Sequence, residues 1–172
     1  MLSRCGVHGG AMHATLLEQI RALHIEIEQQ LQHIGQVTEQ PHCATCTTVC
    51  CQEHICRESV ESPFLRFILG NRAEDYDQEN GWFAPGKGCQ LEYGRPMLCY
   101  VYFCLKFSAA ELARSHESVA REFRAIYVKT WRGRHMLTID DLSEIPVPRL
   151  QRIVDDLTAL RDRMVAEKPT VR

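Results

Sequence analysis

This chain has little net charge, no long apolar run and none of the common catalytic signatures. A net charge of −2 at pH 7 argues against broad electrostatic attraction to nucleic acid or anionic lipid. The longest apolar run, residues 97–105, is too short to span a bilayer. The sequence lacks a glycine-rich nucleotide loop, an HExxH zinc-protease motif and a GxSxG elbow, so the enzyme classes that those motifs mark have no support.

The first ten residues also lack the apolar core of a signal peptide. Nine cysteines are an odd number, which would leave one unpaired in a disulfide framework. With 172 residues and 45% apolar content, the chain is large enough to bury a core without disulfide bonds. A secreted disulfide scaffold is therefore disfavoured, and we expect a cytoplasmic protein.

Hydrophobic periodicity is clearest over residues 14–36. Apolar side chains recur there at helical spacing, at Leu16, Ile20, Leu23, Ile27, Leu31 and Ile34. Glu18, Glu26 and Glu28 are assigned to other faces of this helix. The stripe packs on the domain core or docks on a protein partner or a second copy of the chain, because such a stripe also suits a coiled-coil seam.

Two segments follow this first helix before the middle of the chain. Ser62 and Pro63 precede an apolar run that ends at Gly70, which predicts a short buried helix with a serine cap. Residues 71–96 are polar and glycine-rich and predict a long loop. The run 97–104 has strand-like composition without clean alternation, so a strand, a buried turn and the start of a helix stay open.

Two more helices are predicted in the second half. A capping box at Ser108 and Glu111 begins one, and Arg132-Gly133-Arg134 ends it. Pro146 and Pro148 precede the last. We therefore expect a mainly α protein, with four to five helices in a single domain (residues 13–168) around an irregular cysteine-rich centre (42–104). Residues 1–12 form a flexible leader and 169–172 a tail.

Cysteine is the one residue type that is strongly clustered. Two segments hold eight of the nine: Cys43, Cys46, Cys50, Cys51 and Cys56 in the first, then Cys89, Cys99 and Cys104 in the second. Free cysteine behaves as a small buried hydrophobe with no reason to cluster. Thiolates are soft ligands that select zinc, Cu(I) or iron–sulfur clusters, so the clustering predicts metal or redox chemistry.

Local spacing supports a metal centre. Cys43-x₂-Cys46 lets two sulfurs converge on one ion from a tight turn. Cys50 and Cys51 are adjacent, so one or both ligate. Cys89 follows Gly86-Lys87-Gly88, whose glycines allow backbone N–H groups to turn towards sulfur. Cys5 lies far from both segments and is not expected to ligate.

The order Cys-x₂-Cys-x₃-Cys-Cys, a Gly-Cys step and Arg95-Pro96-x₂-Cys99 resembles the YkgJ-type cysteine-cluster proteins, small bacterial proteins described as zinc- or iron-chelating domains. The resemblance covers about residues 43–104. One extra residue before the Cys50-Cys51 pair departs from that pattern, and Cys56 and Cys104 are additional. The resemblance and the spacing together imply ligation by Cys43, Cys46, Cys89 and Cys99, with one or both of Cys50 and Cys51. The additional Cys56 and Cys104 would allow a second site or a larger cluster, so all eight clustered cysteines are candidate ligands.

Arg95 is expected beside the metal rather than on it. Four thiolates around Zn²⁺ or a doubly positive cubane leave a net negative charge, and a guanidinium next to a ligand segment would offset it. A solvated surface arginine is the alternative.

The metal and the function stay open among three hypotheses. Eight cysteines exceed the need of one zinc ion, and Cys89, Cys99 and Cys104 are spread too widely for an ordinary zinc ribbon. An iron–sulfur cluster for electron transfer or redox sensing is the first hypothesis. A zinc module with one or two four-cysteine sites is the second, and a metal-dependent enzyme or enzyme accessory protein is the third.

Overall fold

The computed structural model describes residues 7–39, 53–100, 110–131, 134–137 and 142–166. Within these ranges the chain forms five α-helices: α1 (Val7–Glu39), α2 (Glu53–Glu61), α3 (Pro63–Leu69), α4 (Ala110–Tyr127) and α5 (Val147–Ala166). The described part also contains two short antiparallel hairpins, β1 (Phe83–Ala84) with β2 (Gly88–Cys89), and β3 (Val128–Trp131) with β4 (Arg134–Leu137). The predicted mainly α class is confirmed.

Helix α1 forms the centre of the main core. Its apolar stripe is buried from Leu16 to Leu31, and it packs chiefly against α5, with further contacts to α4 and α3. The described stripe is therefore covered by the chain itself, the first of the two alternatives above.

Among the helices that the structure describes, none combines the length and the apolar character that a membrane span requires.

The boundaries of α1 differ from the sequence expectation. The helix begins at Val7, so residues 7–12 are helical rather than part of a flexible leader. Local periodicity could not show this, because the added first turns are glycine-containing and carry no regular stripe. His13 links this end of the helix to the carbonyl of Ile145, which lies 3.0 Å from His13 Nε2.

Helix α3 forms as its flanking residues predict. The hydroxyl of Ser62 accepts a 3.3 Å hydrogen bond from the N–H of Leu65, and Pro63 lies in the first turn. Gly70 ends the helix with a φ of +58°, a conformation that residues with side chains rarely adopt. The cap, the proline and the glycine predicted from sequence are all confirmed.

The predicted loop at 71–96 is more ordered than its composition indicates. A 3₁₀-helix covers Gly70–Asp75, and the β1–β2 hairpin follows, with Phe83 opposite Cys89 and Ala84 opposite Gly88. A further 3₁₀-helix covers Met97–Tyr100. Strands of two residues fall below what hydrophobic alternation can reveal, which is why the sequence predicted a loop.

The helix predicted to end near residue 134 was too long. Helix α4 ends at Tyr127, and the β3–β4 hairpin occupies residues that were assigned to its last turn. Residues 128–131, Val-Lys-Thr-Trp, are rich in β-branched and aromatic types, so strand pairing prevails over continuation of the helical stripe.

The described core has two parts. The larger cluster joins α1, α3, α4 and α5. The smaller is centred on the buried side chains of Leu69, Trp82 and Leu91, with Cys56 and Cys89 packed against it. The segments that carry Cys56 and Cys89 therefore rest on a small apolar cluster of their own, beside the main helical core.

Candidate metal centre

Three of the eight predicted ligands lie in the described part of the chain, Cys56, Cys89 and Cys99. Each is carried by a different element: α2, β2 and the Met97–Tyr100 3₁₀-helix. The other predicted ligands lie outside the described residues: Cys43, Cys46, Cys50, Cys51 and Cys104. Cys5 lies outside them as well.

Cys56 is fixed by its own helix and by the turn that precedes β1. The buried hydroxyl of Ser59 donates a 2.6 Å hydrogen bond to the Cys56 carbonyl and accepts one of 2.6 Å from the indole N–H of Trp82. Gly81 lies directly against this cysteine, since a Cβ at Gly81 would be 3.2 Å from Cys56 Cβ and 3.6 Å from its Sγ. Helix α2 and the hairpin segment are thus joined at Cys56.

Cys89 occupies the last position of the β1–β2 hairpin. Gly86 and Gly88, the glycines singled out in the sequence, have φ values of +76° and +81°, so they make a turn that few other residues would allow. The N–H of Lys87 bonds to the carbonyl of Ala84 at 3.0 Å, which closes the turn. The hairpin therefore fixes the position of Cys89 against the smaller core cluster.

The Arg95–Cys99 segment brings the third cysteine. The N–H of Cys99 bonds to the carbonyl of Pro96 at 2.9 Å, which forms the 3₁₀ turn. The Nε of Arg95 donates a 2.9 Å hydrogen bond to the carbonyl of Leu91. Arg95 is partly buried and held by the loop.

Electrostatics couple these groups to one another. Cys99 is an exposed residue, but desolvation of its thiol raises the pKa to about 12, with Arg95 acting in the opposite direction and Cys89 and Cys56 adding to the rise. Burial opposes the positive charge of Arg95, but neighbouring groups, Cys89 first among them, outweigh it and raise the pKa of Arg95 above its usual value. Cys89 and Cys99 thus interact electrostatically with Arg95, and Cys56 interacts with Cys99.

These cysteines do not by themselves form a complete ligand set. No group of three or more His, Cys, Asp or Glu side chains in the described ranges is arranged to hold a metal ion. Electrostatic coupling extends further than coordination distance, so the two observations are compatible. The ligand set, with five members outside the described residues, stays a prediction.

Sequence reasoning missed a buried polar group next to this segment. Glu28, assigned above to a face of α1 other than the apolar stripe, is completely buried, as is His24 one turn earlier. The buried arc of α1 is wider than its apolar stripe because the helix packs on α3 and α4 as well as α5. The signal available was the His24–Glu28 pair at i,i+4 spacing along the edge of the stripe.

An open cleft of about 500 Å³ lies elsewhere on the surface. Its lining includes Arg21 and Arg72, each held by a backbone carbonyl, and it includes no cysteine. The cleft therefore does not contribute to the thiol group described above.

Comparisons with protein-family models, with curated proteins and with solved structures gave no match for this chain.

Proposed function

We propose that this chain is a cysteine-rich metal-binding protein that holds an iron–sulfur cluster for electron transfer or redox sensing. The observation that carries the proposal is that Cys56 and Cys89 pack against the same small apolar cluster. Cys99 and Arg95 interact electrostatically with Cys89. These cysteines are carried by three different elements, α2, β2 and the Met97–Tyr100 3₁₀-helix. The resemblance of residues 43–104 to the YkgJ-type cysteine-cluster proteins is a second argument for this proposal.

The donor chemistry of the described residues fits such a group. Thiolate sulfur is the ligand that iron–sulfur clusters use, and Cys89 and Cys99 carry free thiols. Arg95 supplies the positive charge that an anionic thiolate cluster needs in a partly desolvated site. When bound, a cluster would supply one-electron transfer.

A second feature also suits a bound sulfur centre. The hydroxyl of Tyr76 is buried and has no hydrogen-bond partner among the described residues. Its ring packs on Trp82 with centroids 5.6 Å apart and lies 3.9 Å from a Cβ built at Gly81, the residue that contacts Cys56. Hydrogen bonds to sulfur tune cluster potentials, and an unpaired buried hydroxyl beside a ligand segment is a suitable donor.

Zinc is the second candidate, and the small size of the second core favours it. In the described part, that cluster has only three buried members, Leu69, Trp82 and Leu91. Clusters this small rarely hold a fold together alone, and structural zinc contributes folding free energy outright. In this version, thiolates from α2, β2 and the 3₁₀-helix would join segments that have little apolar surface of their own.

The proposal includes a cytoplasmic setting, where thiols are kept reduced. A protein partner or a second copy of the chain would exchange electrons or receive the redox signal. Because the described stripe of α1 is buried, contact through this helix would use its other faces.

The deciding experiment is anaerobic purification followed by visible absorption and by measurement of iron, acid-labile sulfide and zinc per chain. Brown protein with stoichiometric iron and sulfide is the expected result. Colourless protein with one or two zinc ions would replace the cluster by the zinc version. Absence of both metals from wild-type protein after expression with ample iron and zinc would overturn the proposal.

A further inference from the structure

Glu28 is a carboxylate with no access to solvent, and three donors from a single remote segment converge on it. Its Oε2 accepts a 2.5 Å hydrogen bond from the backbone N–H of Gly94. Its Oε1 accepts a 2.9 Å bond from the N–H of Arg95 and a further bond from the hydroxyl of Tyr100. The donors are more than sixty residues from Glu28 in sequence.

These donors lie on both sides of Cys99. Gly94 and Arg95 precede this cysteine in the chain, and Tyr100 directly follows it. One side chain of α1 therefore holds both ends of the Arg95–Cys99 segment. The backbone at Gly94 has a φ of +74°, and a Cβ there would lie 2.7 Å from Leu69 Cγ, so glycine is required for this approach.

Burying a carboxylate destabilises the folded state unless hydrogen bonds or opposite charges compensate for the lost hydration. His24 Nε2 lies 3.3 Å from Glu28 Oε2 without the alignment of a hydrogen bond, while His24 Nδ1 lies 2.8 Å from the hydroxyl of Tyr127. The positive charge of Arg95 also interacts with Glu28. A leucine at position 28 would suit the surrounding apolar stripe, so helix packing alone gives no reason for this network.

We infer that Glu28 is a positioning residue for the cysteine centre, fixing the Arg95–Cys99 segment on α1 so that Arg95 and Cys99 remain beside Cys89. The inference rests on the proposed metal-binding function. It adds a residue outside the cysteine-rich region, which acts on the centre through backbone hydrogen bonds rather than by contact with metal. Outer groups that orient ligands typically change metal affinity by about 10- to 100-fold when they are replaced.

The test compares Glu28→Gln with Tyr127→Phe in the full chain as purified. Glutamine keeps the shape but places an amide NH₂ against a donor from the loop, so one loop contact is lost. Tyr127→Phe removes a buried hydroxyl from the same network and leaves all three bonds from the loop to Glu28 intact. Tyr100→Phe, which keeps the carboxylate and removes one donor, replaces Glu28→Gln if that variant does not fold.

Two readouts are needed: the rate of metal release to EDTA and the rate of iodoacetamide labelling at Cys99, resolved by peptide mass spectrometry. We expect Glu28→Gln to release metal about tenfold faster than Tyr127→Phe at matched unfolding midpoints. Labelling of Cys99 should accelerate in the same variant. With Tyr100→Phe both effects should be smaller and in the same direction.

Equal rates in Glu28→Gln and Tyr127→Phe, for metal release and for labelling, would overturn the inference and leave the metal-binding proposal intact. If the wild-type protein contains no metal, the proposed function fails, and labelling alone then decides whether Glu28 fixes the segment. Faster labelling of Cys99 in Glu28→Gln than in Tyr127→Phe would still support the positioning role, and equal labelling would refute it.

Discussion

The indole N–H of Trp82 donates to the hydroxyl of Ser59, and the 2.6 Å bond between them ties the turn before β1 to helix α2. Ser59 is completely buried and Trp82 nearly so. Because the same hydroxyl also donates to the carbonyl of Cys56, this pair sets the position of one predicted ligand relative to the hairpin that carries Cys89. A small polar contact thus joins two of the cysteine-bearing segments.

Replacing Ser59 by alanine should therefore destabilise the protein and loosen Cys56. The buried indole N–H of Trp82 would lose its acceptor, and an unsatisfied buried donor costs about 1–3 kcal/mol. We expect that loss in the free energy of unfolding measured with urea, together with a lower metal content per chain.

A double-mutant cycle with Trp82→Phe isolates the contact. In the phenylalanine background no indole donor remains, so Ser59→Ala should have a clearly smaller effect. Equal losses in the two backgrounds would show that the hydroxyl stabilises α2 by some route other than Trp82.

Gly81 offers a second test of how closely the hairpin segment packs on Cys56. Gly81→Ala adds a methyl group 3.2 Å from Cys56 Cβ, at a φ of +60°. Gly86→Ala is the matched control, since its φ is +76° and nothing lies within 4 Å of the added carbon. The backbone strain of about 1–2 kcal/mol is common to both.

We expect Gly81→Ala to lose about 1 kcal/mol more stability than Gly86→Ala, because only the former overpacks its site. Metal content should fall further in the first variant than in the second. If the two alanine variants unfold at the same urea concentration, the close packing of Gly81 on Cys56 is not rigid in solution.

The long helices could be predicted from the sequence because their signals are local. The stripe from Leu16 to Leu31 and the serine, proline and glycine around α3 each specify an element by themselves. The β3–β4 hairpin could not be foreseen in the same way, since the helical spacing of α4 runs into residues that pair as strands. Helical and strand signals overlap there, and tertiary context decides between them.

The candidate site could be predicted from the sequence less completely than the helices. Cys89 and its glycines were found because cysteine and glycine stand out in a sequence. Glu28 was assigned to a face of α1 other than the apolar stripe, since a glutamate is rarely buried and its partners lie more than sixty residues away. Pairings at that separation follow from packing rather than from any local pattern.

Asp77 should make the hairpin segment sensitive to acid. Hydrogen bonds from the backbone N–H groups of Asn80 and Glu79 lower its pKa below 3.8 in the folded state. The unfolded chain therefore takes up the proton at higher pH than the folded chain does. The stabilisation is complete at pH values above the ordinary pKa of aspartate, and it disappears as the pH falls through the lowered pKa of the folded state.

Asp77→Asn keeps an oxygen that can accept both N–H bonds but has no titrating proton. We expect the difference in unfolding free energy between wild type and Asp77→Asn to be constant from pH 7 to 5 and to change in favour of the variant below about pH 4. Asp77→Ala loses the turn bonds at every pH and serves as the control. A pH-independent difference between wild type and Asp77→Asn would contradict the role of the carboxylate.

The central prediction is that Cys43, Cys46, Cys89 and Cys99 are metal ligands, together with one or both of Cys50 and Cys51. Serine at any one of the first four should lower metal content and stability together, because metal binding is coupled to folding. Metal per chain and the urea midpoint are measured on the same preparations. Cys5→Ser is the control, and it should retain full metal.

Counting reactive thiols in the native state then separates the forms that this centre can take. Two four-cysteine zinc sites would protect all eight clustered cysteines and leave Cys5 to react. One zinc site would leave four of the eight free for alkylation. An iron–sulfur cluster would be distinguished from both zinc forms by iron and acid-labile sulfide in the same preparation. Full metal occupancy in Cys89→Ser or Cys99→Ser would remove these residues from the ligand set. Arg95 would then lie beside two cysteines that bind no metal, and its charge would need another explanation.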